Sequence, residues 1–279
     1  MKYQKVAFVG GGNMTRAIVA GMIAGDYAAG NILIAEPLAA QRDALSQDLP
    51  GVIVSADNNK TVSTAEIVLL AVKPQLLAGV CRQLAATIQA TRPLIVSIAA
   101  GIHGADIDSW LGGDLAVVRV MPNQPALLRQ GISGIFANEK TTQQQLVAAR
   151  RIMSAVGAVI EVTTEADIDV VTAISGSGPA YFYLLIDMLA KTGNDLGLDK
   201  DVARALAIET AQGAVALAAS SGVAMDTLIA RVRSPGGTTA AALESLESQG
   251  VRDIFNIALT AARDRARDLA DAAHNTSQD

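Results

Sequence analysis

The stretch that decides the fold lies near the amino terminus and reads Val6-Ala7-Phe8-Val9-Gly10-Gly11-Gly12-Asn13-Met14-Thr15-Arg16-Ala17. A short apolar run meets three glycines, and a helical pattern follows at once. Gly10 allows a tight turn out of a strand, and Gly12 has no side chain, so a ligand can approach the backbone closely. The helix would direct its free N–H groups and the positive end of its dipole at an anion. This arrangement is typical of a βα unit that holds the pyrophosphate of a dinucleotide.

Two further residues bear on this predicted site. Glu36 ends the next apolar run, where an acidic residue is expected to hydrogen-bond the ribose hydroxyls. Such a carboxylate favours NAD over NADP, but Arg42 follows a few residues later, so the sequence leaves the ranking of the two cofactors open. Thr15 stands where a third small residue is usual. It either loosens the helix–strand packing slightly or turns its hydroxyl towards the phosphate.

The composition bounds the class of protein. The 279 residues are enough for two domains. Hydrophobic residues make up 51% and aromatic residues only 3%, so the core must consist of Ala, Val, Leu and Ile, which suits buried parallel strands. A formal net charge of −5 argues against nucleic acid or an anionic membrane surface as a partner. The single cysteine, Cys81, forms no internal disulfide and is expected to be buried, which fits a reducing cytoplasm.

Other kinds of segment and site find little support in the sequence. Residues 1–5 lead directly into the first apolar run, without the hydrophobic stretch of a signal peptide. The longest apolar stretches contain Gly, Ser or charged residues and fall short of a membrane span, which needs about 20 residues. His103 and His274 are the only histidines, so we expect no metal site, and a Ser-His-Asp triad would have to use one of them.

Up to about residue 162, short apolar runs alternate with helical patterns. This alternation predicts an α/β fold, a mostly parallel Rossmann-type sheet, as a dinucleotide-binding domain over residues 1–162. Ligands of such sheets bind at the carboxyl ends of the strands. The predicted strands are 5–10, 31–35, 52–55, 67–72, 94–98, 116–120, 134–137 and 158–161, and the predicted helices include 14–24, 39–47, 75–88 and 142–156.

From residue 163 to residue 279 the sequence predicts helices only. Several of them, above all 203–219, are apolar on more than one face, so they need more partners than a small monomeric bundle offers. We therefore predict an all-α C-terminal domain over residues 163–279 that builds a homodimer. The predicted helices are 165–173, 180–196, 199–220, 225–232, 239–249 and 251–273.

Three segments of the first domain lie where predicted strands end. Residues 71–74 turn sharply, with a proline opening the next helix, and their backbone would line the nicotinamide side of a cleft. Residues 97–101 are small and leave room for a flat ring. Residues 121–125 form a rigid rim whose Asn123 could hydrogen-bond a ligand. Residues 71–74 and 121–125 are equally compatible with ordinary turns.

A loop in the second half reads Ser234-Pro235-Gly236-Gly237-Thr238-Thr239 and lies between two predicted helices. Two glycines expose backbone N–H groups, two hydroxyls follow, and a helix begins near Thr239. A helix N-terminus with free donors can bind a carboxylate. The loop could equally be a simple helix cap, and these residues alone leave both interpretations open.

Six ordered segments together resemble one known family. In this order, over about residues 5–270, they resemble the Δ1-pyrroline-5-carboxylate reductases, which catalyse the last step of proline biosynthesis. Two departures are Thr15, in place of a smaller residue, and Gln124, where the family commonly has Thr and where Gln adds bulk at the rim. The segments are Gly10-Gly11-Gly12-Asn13-Met14, Ala71-Val72-Lys73-Pro74-Gln75, Val96-Ser97-Ile98-Ala99-Ala100-Gly101, Met121-Pro122-Asn123, Ser175-Gly176-Ser177-Gly178-Pro179-Ala180-Tyr181 and Ser234-Pro235-Gly236-Gly237-Thr238-Thr239.

The resemblance implies an activity and an assembly. Members of the family transfer a hydride from C4 of NADPH or NADH to the imine carbon of 1-pyrroline-5-carboxylate, which becomes C5 of proline, and release L-proline. The imine reacts as an iminium, which is already electrophilic, so orientation and exclusion of water are the main demands on the protein. The resemblance also implies interlocked dimers through the C-terminal helices, often assembled into a decamer.

The resemblance further implies roles for individual residues. Thr239, whose hydroxyl would meet the ring nitrogen, and Ser234 are the catalytic candidates. The substrate-binding candidates are Ser177, Gly178, Pro179, Gly236, Gly237, Thr238 and Thr239. The cofactor-binding candidates are Gly10, Gly11, Gly12, Asn13, Met14, Thr15, Glu36, Asn58, Ala71, Val72, Lys73, Pro74, Ala99, Ala100, Gly101 and Asn123.

Two other interpretations stay open. A 3-hydroxyacid dehydrogenase would share the two-domain architecture but would place a catalytic lysine on the first long interdomain helix. This chain has only Lys191 there, well beyond the glycine cluster. A non-catalytic, dinucleotide-binding regulatory module would need residues 10–14 but no carboxylate pocket, and the loop 234–239 argues against it.

Overall fold

The structure, a computed structural model, describes residues 4–275. The described chain begins with alternating strands and helices and contains eight strands, all of them before residue 162. The strands are β1 (Val6–Val9), β2 (Ile32–Ala35), β3 (Ile53–Ser55), β4 (Ile67–Leu70), β5 (Leu94–Ser97), β6 (Val117–Met121), β7 (Gly131–Ala137) and β8 (Gly157–Glu161).

The eight strands form one sheet in the order β3-β2-β1-β4-β5-β6-β7-β8. All neighbours pair in parallel except β6 and β7, which are antiparallel. β1 lies between β2 and β4, so the strand order reverses beside it. Ligands of open α/β sheets bind at such a switch point, next to the carboxyl ends of the strands. The predicted mostly parallel Rossmann-type sheet is confirmed.

The sheet is covered on both faces. Every residue of β1, β2, β4 and β5 is buried, which explains why these strands read as continuous apolar runs rather than alternating ones. One face packs against a cluster that includes Ile18, Met22 and Ile152. The other packs against a cluster that includes Leu77 and Cys81. With almost no aromatic side chains available, branched aliphatic side chains fill the core.

The helices follow the predicted pattern with a few differences. β7 begins at Gly131, earlier than predicted, because its first residues break the apolar pattern. α3 and α5 were not predicted, since five and seven residues are too few to show a helical period. The helices are α1 (Asn13–Ala24), α2 (Ala39–Asp48), α3 (Asn58–Val62), α4 (Pro74–Thr91), α5 (Gly104–Trp110), α6 (Gln143–Ser154), α7 (Asp167–Val171), α8 (Gly178–Asp195), α9 (Lys200–Ser221), α10 (Met225–Val232), α11 (Thr238–Ser248) and α12 (Val251–Asn275).

The chain divides into two compact units. The first consists of the chain up to Ser177 together with the part of α12 that begins at Ala262, and the second is Gly178–Ala261. The sheet ends at Glu161, close to the predicted domain boundary between residues 162 and 163. The boundary of the compact units lies later, because α7 packs on the sheet: a Cβ atom placed on Gly134 would lie 2.6 Å from Val171. The two units therefore differ from the predicted ranges 1–162 and 163–279.

The second unit contains α8 to α11 and the beginning of α12. α8 and α9 pack closely where a Cβ atom on Gly193 would lie 3.2 Å from that of Ala203. Many of its large apolar side chains are nevertheless exposed in the single chain, among them Phe182, Leu206 and Leu217. By length and composition, α9 could cross a membrane. The prediction that no stretch reaches that length is therefore wrong for α9.

Candidate active site

The turn after β1 requires glycine at its first position. Gly10 has a φ of 104°, in the region that residues with side chains rarely adopt. A Cβ atom placed on it would lie 2.7 Å from the carbonyl oxygen of Ala71, at the end of β4. The N–H of Gly10 donates to the carbonyl of Ala35 at the end of β2. The turn therefore brings together the carboxyl ends of three adjacent strands.

The amino terminus of α1 is open. Gly12 occupies the cap position, and no side chain accepts a hydrogen bond from the first turn. A Cβ atom placed on Gly12 would have no atom within 4 Å beyond its two neighbours in the chain. The backbone of Asn13 and Met14 begins the helix beside this free space. These features fit a dinucleotide pyrophosphate, which needs unpaired N–H donors and room for close approach.

Thr15 lies directly below this turn. Its side chain is fully buried, and its hydroxyl donates to the carbonyl oxygen of Gly10 over 2.7 Å. The hydroxyl therefore closes the glycine turn from inside and does not face a phosphate. Thr15 fits between helix and strand because its only polar side-chain atom is paired.

Glu36 joins the ends of β1 and β2. It is buried, and its Oε2 accepts the N–H of Gly11 at 3.0 Å, while Oε1 accepts the N–H of Leu38 at 3.0 Å. Each carboxylate oxygen keeps a further lone pair for a ligand hydroxyl. The guanidinium of Arg42 donates to the carbonyls of Glu36 and Pro37, which holds it against the same loop.

Three more candidate segments follow strand ends of the same sheet. Residues 71–74 follow β4, with Lys73 exposed at the cap position of α4 and Pro74 at its first position. Residues 99–101 follow β5, and Gly101 is buried, with a φ of 65°. Asn58 begins α3, after β3. The structure thus places all of these cofactor candidates at the carboxyl edge of the sheet, as parallel pairing requires.

Both polar atoms of the Asn123 side chain are hydrogen-bonded within the protein. Its Oδ1 accepts the N–H of Ile132 at 3.0 Å, and its Nδ2 donates to the carbonyl of Ser175 at 3.1 Å. The predicted rim residue therefore fastens two segments to each other. A direct contact with a ligand would have to use the second lone pair of Oδ1 or the second N–H of Nδ2.

Residues 175–179, which lie between two predicted helices, do not form a loop. α7 continues into a π-helical segment, Thr172–Gly176, and α8 begins at Gly178 after a bend at Ser177. The N–H of Ser177 donates to the carbonyl of Thr172 over 2.8 Å. Single π-helical turns of this kind are frequent at functional sites. Pro179 fits in the first turn of α8, where its missing N–H costs nothing.

The loop 234–239 belongs to the second unit. Gly237 caps α11 without any side-chain hydrogen bond, so no cap side chain occupies the N–H groups of the first turn, which come from Thr238 and Thr239. The N–H of Gly237 itself donates to the carbonyl of Ser234 at 3.0 Å. The prediction that the Gly237 N–H is available to bind an anion is therefore wrong, because this N–H already has a partner in the loop. Gly236 has a φ of 70°, in the region that favours glycine.

Two alternative reactive groups can be judged directly. Lys191 on α8 is largely exposed and forms an ion pair with Asp187 at 2.7 Å, which gives no sign of a catalytic lysine. Cys81 is buried in the core, as predicted, and burial raises the pKa of its thiol to about 12. The thiolate that nucleophilic chemistry requires is therefore scarce at neutral pH.

One charged pair near the cofactor candidates was not predicted. Arg119, in the otherwise apolar β6, is buried and donates to Glu165 at 2.9 Å. A charged residue inside the run Val117-Val118-Arg119-Val120-Met121 signals a buried partner, and this could have been noticed. Which residue is the partner could not be predicted from the sequence, since Arg119 and Glu165 are 46 positions apart.

Comparison with known proteins gives consistent matches along the chain. A family model described as pyrroline-5-carboxylate reductase dimerisation matches residues 165–269. A model described as NADP oxidoreductase, coenzyme F420-dependent, matches residues 5–101. The helical part of the chain is therefore a homo-oligomerisation region, and the sheet is an NAD(P)-binding domain.

Whole relatives match over nearly their full length. A pyrroline-5-carboxylate reductase of Pseudomonas aeruginosa is 42% identical over 271 residues, which cover 97% of this chain and 98% of that protein. A solved structure of the Coxiella burnetii enzyme superimposes with a TM-score of 0.91 at 39% identity, covering 96% of this chain and 99% of that one. The Plasmodium falciparum enzyme with NADP bound gives a TM-score of 0.84 at 27% identity, covering 96% and 99%. With identity this high over almost all of both sequences, the chain belongs to the pyrroline-5-carboxylate reductase family.

Proposed function

We propose that this chain reduces 1-pyrroline-5-carboxylate to L-proline with NADPH or NADH. The observation that carries the proposal is the open amino terminus of α1 at Gly12, set between the ends of β1, β2 and β4 in a chain of this family. A hydride-transfer enzyme needs such a place for the cofactor.

Residues of the first unit hold the cofactor in this proposal. The N–H groups of Asn13 and Met14 bind the pyrophosphate, since the dipole of α1 and its unpaired donors both favour an anion. Thr15 acts indirectly by closing the turn. The carboxylate of Glu36 receives a ribose hydroxyl, and the residues after β4 and β5, including Ala71 and Ala99, border the nicotinamide. The bound cofactor supplies the hydride.

Residues of the second unit hold the substrate. The N–H groups of Thr238 and Thr239, at the start of α11, bind the substrate carboxylate, with Gly236 as a further donor and Gly237 shaping the turn. The hydroxyl of Thr239 hydrogen-bonds the ring nitrogen, and Ser234 supports the loop through its carbonyl. Ser177, Gly178 and Pro179 form the pocket wall. The protonated imine accepts a hydride at its C=N carbon without any general acid, so these residues orient the ring and exclude water.

The balance between NADPH and NADH depends on Glu36 and Arg42. The Glu36 carboxylate repels a 2′-phosphate and thus favours NADH. The guanidinium of Arg42 lies against the same loop and attracts the phosphate. Both cofactors are therefore proposed as substrates of the enzyme.

Assembly and location complete the proposal. The exposed apolar side chains of α8 and α9 pack against a second copy in a homodimer, and dimers combine into a decamer. α9 is covered by protein rather than by lipid, since it lies within the dimerisation region. We place the enzyme in the cytoplasm, without a membrane or nucleic-acid partner, on the grounds of its net charge and single buried thiol.

A single assay tests the activity. Oxidation of NADPH and of NADH is followed at 340 nm, roughly the nicotinamide absorption maximum, with pyrroline-5-carboxylate present or omitted, and proline is measured as the product. The expected result is oxidation that depends on the substrate and yields one proline per cofactor. Cofactor binding without substrate-dependent oxidation would favour the regulatory module. In a parallel assay, oxidation that occurs with a 3-oxoacid instead of pyrroline-5-carboxylate, and yields the 3-hydroxyacid, would favour the dehydrogenase.

A further inference from the structure

One carboxylate oxygen, Oε1 of Glu165, collects three groups of the first unit. It accepts the backbone N–H of Gly104 at 2.6 Å and Nη1 of Arg119 at 2.9 Å. Nδ1 of His103 lies 3.9 Å away. Gly104 is the first residue of α5 and His103 is its cap, Arg119 belongs to β6, and Glu165 lies two residues before α7. A single side chain therefore links three elements that are distant in sequence.

Arg119, the charged partner of Glu165, strengthens this link. Its guanidinium is almost fully buried, and its Nη2 has no hydrogen-bond partner among the described residues. A buried cation needs a counter-charge, because removing a charge from water without compensation is very unfavourable. Asp169, buried nearby, titrates with a raised pKa because of its burial, although Arg119 opposes the shift. The carboxylate that meets the guanidinium directly is Glu165.

The turn that Glu165 touches carries the cofactor candidates of β5. It begins at Ala99 and ends at Gly104, where α5 starts. Near its middle, a Cβ atom placed on Gly101 would lie 3.0 Å from that of Leu269 on α12. The turn is thus packed against α12 near its middle and bonded to Glu165 at its end. Ala99 and Ala100 lie just before these two anchors.

We infer that Glu165 is a positioning residue, which fixes the turn 99–104 through the N–H of Gly104 and is itself fixed by Arg119. This inference rests on the proposed function, in which that turn borders the nicotinamide. Glu165 acts through the backbone and not on the substrate. When the anchor is lost, the pyrophosphate contacts at α1 remain, but the nicotinamide loses its defined position. Small displacements of a reacting group reduce the rate of the chemical step strongly.

Two variants separate the components of this link. Glu165→Ala removes both bonds, whereas Glu165→Gln keeps an oxygen for Gly104 and loses the charge that meets Arg119. We expect kcat to fall about tenfold in Glu165→Ala and about threefold in Glu165→Gln, as befits the loss of one charged hydrogen bond or part of it. The dissociation constant of NADP⁺ should stay within about threefold in both. Glu161→Ala is the matched control, because Glu161 pairs with Arg150 at 2.7 Å in the same unit.

Two measurements distinguish positioning from a general loss of folded enzyme. With NADPH deuterated at the transferred hydrogen, the isotope effect on kcat should rise in Glu165→Ala. A fraction of inactive molecules would lower kcat but would leave the isotope effect unchanged. In the cofactor-free protein, hydrogen exchange of the amides from Ala99 to Gly104 should accelerate in the variant and remain unchanged in the control. If Glu165→Ala does not fold, the isosteric Glu165→Gln decides by the same two measurements.

Either result at the wild-type level overturns the inference. Wild-type exchange of the turn in folded Glu165→Ala would show that Glu165 does not fix it, and a wild-type isotope effect would show that the turn does not position the nicotinamide. The activity assay of the wild-type enzyme tests the proposed function, independently of the role of Glu165. An inactive wild type refutes the proposed function, while the exchange experiment on the free protein still tests whether Glu165 holds the turn.

Discussion

The backbone N–H of Gly11 donates to Oε2 of Glu36 across 3.0 Å, so one carboxylate fastens the glycine turn after β1 to the end of β2. The other oxygen of the same carboxylate accepts the N–H of Leu38. Glu36 therefore has two roles in the proposed site. It fixes the backbone around the pyrophosphate position, and it places a negative charge where the ribose is expected.

Glu36→Gln should shift the cofactor preference towards NADPH. The variant keeps the size of the side chain and one accepting oxygen, but it loses the charge that repels a 2′-phosphate. We expect the ratio of kcat/KM for NADPH over NADH to rise about tenfold, which corresponds to about 1.4 kcal/mol. Glu66→Gln is the control, since Glu66 also accepts a backbone N–H, that of Lys5, at an exposed site. A shift towards NADH would refute the role given to the Glu36 charge.

Gly12→Val should abolish dinucleotide binding and leave the protein folded. A Cβ atom at Gly12 has free space in the protein, so any loss reports on a ligand that needs that space. Titration with NADP⁺ measures the affinity, and circular dichroism measures the fold. Gly79→Val on α4 is the matched control, because Gly79 also has free space around its Cβ position. Undiminished affinity in Gly12→Val would remove the phosphate site from this turn.

These two sites show how far the sequence alone could reach. Buried parallel strands are uninterrupted apolar runs, so β1, β2, β4 and β5, and with them the site at their ends, could be predicted. Hydrogen bonds that side chains and loops make internally could not. The hydroxyl of Thr15, the amide of Asn123 and the N–H of Gly237 each looked available to a ligand, and each has a partner within the protein. The ion pair between Arg119 and Glu165 depends on tertiary packing, which no local pattern encodes.

Thr239→Ala should lower kcat about three- to tenfold and keep KM for pyrroline-5-carboxylate within a few-fold. The backbone donors at the start of α11 remain, and one neutral hydrogen bond, worth about 0.5–1.5 kcal/mol, is lost. Steady-state kinetics with saturating NADPH measures both constants. Thr238→Ala is the control, since only the backbone of Thr238 is proposed to contact substrate. Equal kinetics in both variants would refute the role given to the Thr239 hydroxyl.

Leu217→Glu should dissociate the oligomer. Leu217 is 57% exposed in the single chain, on a helix that lies within the dimerisation region. Burying a carboxylate in an apolar interface is costly, so the expected product is a monomer or a much weaker dimer in light scattering. Gln144→Glu adds the same charge to α6, outside that region, and should keep the wild-type mass. An unchanged mass for Leu217→Glu would exclude this face of α9 from the interface.

Asp169→Asn should stabilise the protein more at pH 7 than at pH 4. Burial raises the pKa of Asp169 against the opposing charges of Arg119, His103 and Arg267, with Glu165 adding to the rise. The folded state therefore binds a proton at a pH where the unfolded chain has lost it, and the stability cost of the ionised group develops as pH rises through the raised pKa. The difference in Tm, variant minus wild type, should become more positive from pH 4 to pH 7. The exposed Asp43→Asn should show little change, and a decrease for Asp169→Asn would contradict the sign.

The division of α12 has a consequence for biosynthesis. The first unit is completed by the part of this helix that begins at Ala262, where Ala266 and Ala270 are buried and where the main chain lies beside Gly101. A ribosome delivers the whole helical unit before it delivers these residues. The nucleotide-binding half, although encoded first, can therefore reach its final packing only after nearly the entire chain has been synthesised. A premature stop before Ala266 would damage the half of the protein made earliest.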